Sequence, residues 1–266
     1  MDAIRFVLVA LAGLGAVLAA ATLVWILSLR LRDASIADVA WGPGFVLLGL
    51  TWALLSDGYG PRRILVLSLL AAWGLRLAVH IAARNRGKGE DPRYRRFRER
   101  AGSTFPLRSL FTVFWLQGVL LWIVAAPLLP ALASGRPARL TFFDGLGLLL
   151  WLTGFLFESI GDAQLRRFKA DPANEGRVLR TGLWRYTRHP NYFGDATLWW
   201  GFWCFAASVP GGAVTAFGPA LMTWLLVRVS GVRMLEEDLR ERKPEYRDYV
   251  RTTNAFVPGP PRRRPE

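Results

Sequence analysis

The residues with the greatest capacity for chemistry sit in one stretch, Gly182-Leu-Trp-Arg-Tyr-Thr-Arg-His-Pro-Asn-Tyr-Phe-Gly-Asp195. Pro190 lacks a backbone donor and suits the first turn of a helix, so a loop is expected to enter a new helix at His189-Pro190. The free N–H groups of that turn favour an anion, and Arg185, Arg188 and His189 crowd the same end. Asn191, Asp195 and Trp199 follow at spacings of four and share one helical face. Trp73, Arg76, His80 and Arg84 fall within about 80° of one face at 100° per residue, and so do Glu158, Asp162, Arg166 and Lys169. Asp38 stands near the start of another apolar run. Cations, a helix start and carboxylates suit a large polyanionic cofactor, with phosphates on Arg, Lys and the helix N-terminus and carboxylates on amide or ribose hydroxyl groups. The plainer alternative is structural: basic residues on lipid headgroups, with Arg76–Asp38 and Asp162–Arg166 as ion pairs inside a bundle.

Membrane helices must position these groups. The 266 residues are 52% hydrophobic, with 12 Trp and a mean hydropathy of +0.24. With several long apolar runs, that composition indicates an all-α, polytopic membrane protein. Seven spans are predicted, at about 5–29, 36–55, 63–83, 109–133, 140–165, 192–209 and 213–229. The first is too long for a signal peptide and has the wrong flanks for one. All but six of the 34 Lys and Arg lie after spans one, three and five or in the C-terminal region. The six are Arg5, Arg62, Arg63, Arg76, Arg136 and Arg139. The positive-inside rule then puts the N-terminus outside and the C-terminus in the cytoplasm. The organisation expected is one domain over 1–258, with its cofactor half at about 140–258 and a helix over 233–251, then a disordered Pro/Arg tail at 259–266.

The formal charge of +14 raises nucleic acid as a partner. The cations lie between apolar runs rather than along one soluble face, which argues against it. Cys204 is the single cysteine and two His are present, too few for a Cys/His metal site. Neither G-x-G-x-x-G after a strand, nor G-x-x-x-x-G-K-[ST], nor G-x-S-x-G occurs. Composition rich in Arg, Ala, Gly and Leu points to a GC-rich bacterium and hence an inner membrane.

The Gly182–Asp195 stretch resembles the C-terminal signature of the membrane steroid 5-alpha-reductase superfamily. Isoprenylcysteine carboxyl methyltransferases and sterol delta-14 reductases carry a related Arg-His-Pro-x-Tyr-x-Gly run. Asp38-Val-Ala-Trp-Gly42, the Arg84–Tyr94 loop and Tyr246-x-x-Tyr249 ending in Thr253-x-x-Phe256-x-Pro258 resemble a bacterial subfamily of unknown function within that superfamily. The resemblance implies a seven-helix oxidoreductase that uses NADPH to saturate the carbon–carbon double bond of an enone lipid or steroid-like substrate. It implies cofactor contacts at Asp162, Arg166, Lys169, Arg177, Asn191 and Asp195. Arg76, Glu158, Arg185, Tyr186, Arg188, His189 and Tyr192 complete the candidate cofactor set. The family's catalytic Glu and Tyr fall at Asp38 and Trp73. An indole N–H is a poor proton donor, so His80 is the alternative to Trp73. In this reading Asp38, protonated by burial, polarises the substrate carbonyl with one of them.

Two other readings stay open. An S-adenosylmethionine-dependent methyltransferase acting on a lipid or prenyl-cysteine shares the Arg-His-Pro run and the Glu236-Glu237 pair after the last span. A non-enzymatic membrane scaffold would use the polar stripes as ion pairs alone. The expected partners are membrane lipids and an apolar, lipid-like substrate.

Overall fold

A computed structural model of the chain describes residues 2–229, 236 and 245–262. Among the described residues the secondary structure is helical, with no strand. Six helical segments are long and apolar enough to cross a membrane: Ala3–Leu31, Ile36–Leu54, Gly60–Asn85, Pro92–Val124, Phe142–Ala170 and Gly212–Val229. They mark an integral membrane protein. The sixth predicted span does form a helix, Pro190–Ala207. Its Asn, Asp and three Trp leave it less apolar than the six, so it is not among them. The fourth segment starts well before its predicted position. Asp91 caps it by accepting from Arg93 N (2.9 Å), and Pro92 occupies its first turn. Of the helix expected over 233–251, Glu245–Thr252 and Glu236 are described as helical, and the rest lies outside the described residues.

The chain divides into two compact units: Met1–Asp144 with Phe205–Gly218, and Gly145–Cys204 with Pro219–Glu266. In the first, α1 (Ala3–Leu31), α2 (Ile36–Leu54) and α3 (Gly60–Asn85) pack together. After them come α4 (Pro92–Ala101), α5 (Phe105–Ser109), a π-helical stretch (Leu110–Trp115), α6 (Leu116–Val124) and α7 (Leu128–Ala133). In lipid, helices gain little from mutual hydrophobicity and associate through small residues and hydrogen bonds. Both devices are present. A Cβ on Gly42 of α2 would stand 2.2 Å from the Gly74 carbonyl of α3, so only glycine permits that crossing. The indoles of Trp25, Trp115 and Trp122 donate to Pro106 O, Thr22 Oγ1 and Ala10 O at 2.8–3.0 Å, tying α1 to the segment from α5 to α6. The Arg62 guanidinium is fully enclosed and bonds both oxygens of Asp144 (2.6 and 3.0 Å) and the Arg139 carbonyl (2.9 Å).

The second unit is built on α8 (Phe142–Ala170) and α9 (Pro190–Ala207), with α10 (Phe217–Trp224), a π-helical stretch (Leu225–Val229) and α11 (Glu245–Thr252). Glycines seven residues apart form the seam. Gly147, Gly154 and Gly161 on α8 meet Gly201, Gly194 and Pro190 on α9, so the helices run antiparallel. A Cβ on Gly194 would come within 2.4 Å of Glu158 N, and one on Gly154 within 2.4 Å of the Gly194 carbonyl. This close approach places the polar stripe of α8 against that of α9.

Candidate functional site

Two clusters of polar groups stand out, one in each unit. In the first, Asp38 lies in the first turn of α2. Its Oδ1 accepts from the Tyr94 phenol at 2.6 Å and its Oδ2 from Arg93 Nη2 at 2.9 Å. Gln117 Nε2 donates to the Tyr94 oxygen at 3.1 Å. The cluster rests on α4, which buries Tyr94, Phe97 and Ala101 against Ala34, Ala37, Phe105, Val113 and Phe114. Glu90 fixes the approach, accepting from Ala34 N (2.8 Å) and from Arg98 (2.7 and 3.0 Å). Burial raises the Glu90 pKa, but the Arg98 and Ala34 donors outweigh that and leave it below the ordinary carboxylate value.

Asp38 accepts from two donors, one of them cationic, which is the bonding pattern of a carboxylate. Sequence reasoning does not single out Tyr94, although it closes the Arg84–Tyr94 loop. The Asp-Pro cap just before it was the available signal, because it sets Tyr94 on the inner face of a helix. Trp73 is fully buried on α3, its ring edge-on to Phe45 at 5.4 Å. Arg76 and His80 are half-buried farther along the same helix.

In the second unit, α9 begins at Pro190, as the sequence predicts. Asn191 Nδ2 donates to Asp162 Oδ1 at 3.1 Å, joining the α8 and α9 stripes. Glu158 and Asp162 are buried, and Asp195 is half-buried one turn beyond Asn191. Arg166, Lys169, Arg177, Arg185 and Tyr186 are exposed. Arg177 lines an open cavity of about 470 Å³ with Arg180, Phe168, Asn174, Val178, Glu245 and Asp248. Gly182 holds a left-handed φ of 62°, and Gln164 fills the space where its Cβ would be. Gln164 accepts from Leu183 N (3.0 Å) and Trp184 donates to the Gly161 carbonyl (3.1 Å), so the signature loop is tied to α8.

Arg188 and His189 are buried among protein partners. Arg188 Nε bonds Glu236 at 2.7 Å, and its Nη1 donates to the carbonyls of Val250 (3.1 Å) and Thr253. His189 Nε2 lies 3.2 Å from the same Glu236 oxygen, with its ring stacked on Tyr192. Burial raises the Glu236 pKa, but the bonds and charges of His189 and Arg188 outweigh it and bring the carboxyl down to about 2. The C-terminal segment is laced to the signature loop. Arg188 N donates to Asn254 O (2.9 Å), Thr187 Oγ1 to Phe256 O (2.8 Å), Gly259 N to Tyr186 O (3.0 Å) and Tyr249 Oη to Trp184 O. Burial raises the Tyr249 phenol well above its ordinary value. Gly259 and Arg262, at the start of the expected disordered tail, are held by backbone hydrogen bonds, and residues 263–266 lie outside the described residues.

The family described as "protein of unknown function (DUF1295)" matches residues 24–253. An uncharacterized protein of Schizosaccharomyces pombe is 27% identical over 262 residues, 88% of this chain and 75% of that protein. Human 3-oxo-5-alpha-steroid 4-dehydrogenase 1 is 36% identical over 76 residues, 29% of each chain. No solved structure matches the chain significantly.

Proposed function

The chain belongs to the DUF1295 family, which is steroid 5-alpha-reductase-like, and on that premise we propose a membrane oxidoreductase that reduces the carbon–carbon double bond of an enone lipid with NADPH. The observation that carries this reading is the Tyr94 phenol held 2.6 Å from Asp38, a proton donor on a carboxylate at the end of a membrane helix. The proposed arrangement has seven spans, the six above together with α9 in sixth place along the chain, in one domain over 1–258. The N-terminus is outside and the C-terminus is in the cytoplasm of a bacterial inner membrane.

The donor set of the second unit fits a nucleotide with an extra phosphate. Arg166, Lys169, Arg177 and Arg185 present exposed cations, and Arg177 opens on a cavity. Asn191 and Asp162 offer amide and carboxylate partners for hydroxyl and amide groups. When bound, NADPH supplies the hydride. Glu158, Asp195, Tyr186 and Tyr192 complete the set that orients it. Arg188 and His189 act on the cofactor indirectly, by fixing the loop that carries Arg185.

Tyr94 takes the acid role that the resemblance places at Trp73. A substrate carbonyl gains negative charge as its conjugated double bond is reduced. Asp38 is already compensated by Arg93, so its hold on the phenol hydrogen is weaker than that of the developing oxyanion. Tyr94 then protonates that oxygen to give the enol, which tautomerises to the saturated carbonyl compound, and the phenolate regains its proton from a hydronium ion of the solvent. His80 and Arg76 shape the polar face of α3.

Nucleotide binding to detergent-purified protein tests the reading, comparing NADPH, NADH and S-adenosylmethionine with Asp162→Ala and Arg177→Ala as controls. NADPH-selective binding, weakened in both variants, is expected. Binding of S-adenosylmethionine alone overturns the reading in favour of a methyltransferase, and binding of none favours a scaffold.

A further inference from the structure

We propose that the outer arc of α4 docks the headgroup of an anionic phospholipid. At 100° per residue, Arg95, Glu99, Arg96 and Arg100 cover about 140° of the helix, opposite the partly buried Tyr94 and Phe97 and the buried Ala101. All four outer residues are exposed. The carboxylates nearby are already engaged: Glu90 with Arg98 at 2.7 Å, and Asp91 and Asp38 with Arg93 at 3.0 and 2.9 Å. Arg98 is held further by the Phe105 ring, 4.0 Å below its guanidinium. Among the described residues no carboxylate forms an ion pair with Arg95, Arg96 or Arg100. Glu99 is the one acid on the arc, which therefore keeps a cationic excess.

The apolar part of the docking surface follows directly. Gly102 ends α4, and the chain enters α5 and the π stretch with Leu107 63% exposed and Phe111 50% exposed. Arg108 stands between them, also exposed. Cations that merge within two turns into an outward apolar row fit a molecule with a phosphate diester above and acyl chains below. A soluble polyanion would use the arginines and leave Leu107 and Phe111 without a partner. This inference does not depend on the reductase reading.

The test places the full chain in nanodiscs of phosphatidylcholine with a minority of phosphatidylglycerol, then measures co-purified lipid by mass spectrometry after detergent extraction. Wild type should retain phosphatidylglycerol in excess. Each headgroup-level cation contributes about five-fold to that preference, so R95Q/R96Q/R100Q should reduce it by at least about 25-fold, two of those steps. R95K/R96K/R100K should keep it, because charge rather than fork geometry is read. Tryptophan fluorescence and gel filtration of both triples establish that they fold. The proposal is overturned if wild type shows no preference, if the Gln triple matches wild type, or if soluble glycerophosphoglycerol displaces the lipid at equal concentration.

Discussion

The Asp38 cluster and the Glu236 cluster are built from the same kinds of group, a carboxylate with an arginine and a ring. They differ in closure. Arg93 and Asp38 are 42% and 20% exposed, whereas Arg188 and Glu236 are 8% and 9% exposed. Asp38 accepts from a phenol and from a half-exposed guanidinium. Glu236 holds a guanidinium whose other contacts are backbone carbonyls. A sealed and fully bonded charge pair fixes a fold, and a partly open one with a transferable proton can take part in a reaction. Arg188 of the signature Arg-His-Pro is bonded to the C-terminal segment as well as to Glu236. Under the proposed function the reactive group, Tyr94, comes from α4.

That contrast can be broken most sharply at Arg188. Arg188→Ala leaves Glu236 buried without its cation and should destabilise the second unit by about 3–5 kcal/mol, read as a fall in the unfolding midpoint in detergent. Unchanged stability with lost nucleotide binding would make Arg188 a cofactor ligand and erase the contrast. Next in size, Tyr94→Phe should lower the rate of enone reduction by about 10²-fold or more while leaving the unfolding midpoint nearly unchanged. Trp73→Phe should leave the rate within a few-fold of wild type.

Acid should separate the clusters too. Glu236 has a folded pKa of about 2, below the ordinary 4.5. Its contribution, about 3 kcal/mol, is complete above pH 4.5 and is lost as pH falls towards 2. Hydrogen exchange over residues 245–259 should rise across that window, and Glu236→Gln should abolish the transition. The smallest effect is expected at Asn191→Ala, which removes one interhelical hydrogen bond and should cost about 1 kcal/mol.

Much of this architecture can be read from sequence because its signals are local. Pro190 announces the start of α9, and a spacing of four puts Asn191 and Asp195 on one face. The meeting of Asn191 with Asp162 depends on the glycine seam. Gly147, Gly154 and Gly161 stand in the sequence at equal spacing, but which helix they face is a matter of packing. Arg188 and Glu236 are 48 residues apart, and no periodicity links them. Tyr94 escapes for a similar reason: the loop looks hydrophilic throughout until α4 folds and buries one of its faces. Apolar content is a poor guide to α9, whose Trp and Asp lower its hydropathy while the helix still forms.

The most direct test of the central claim follows deuterium from the cofactor. Protein in proteoliposomes is given NADPH deuterated at the transferable position and a panel of enone lipids, and products are weighed by mass spectrometry. A saturated product that carries deuterium on carbon is expected, formed by wild type and by Trp73→Phe and strongly reduced with Tyr94→Phe. A product without deuterium, or undiminished turnover in Tyr94→Phe, would contradict that claim.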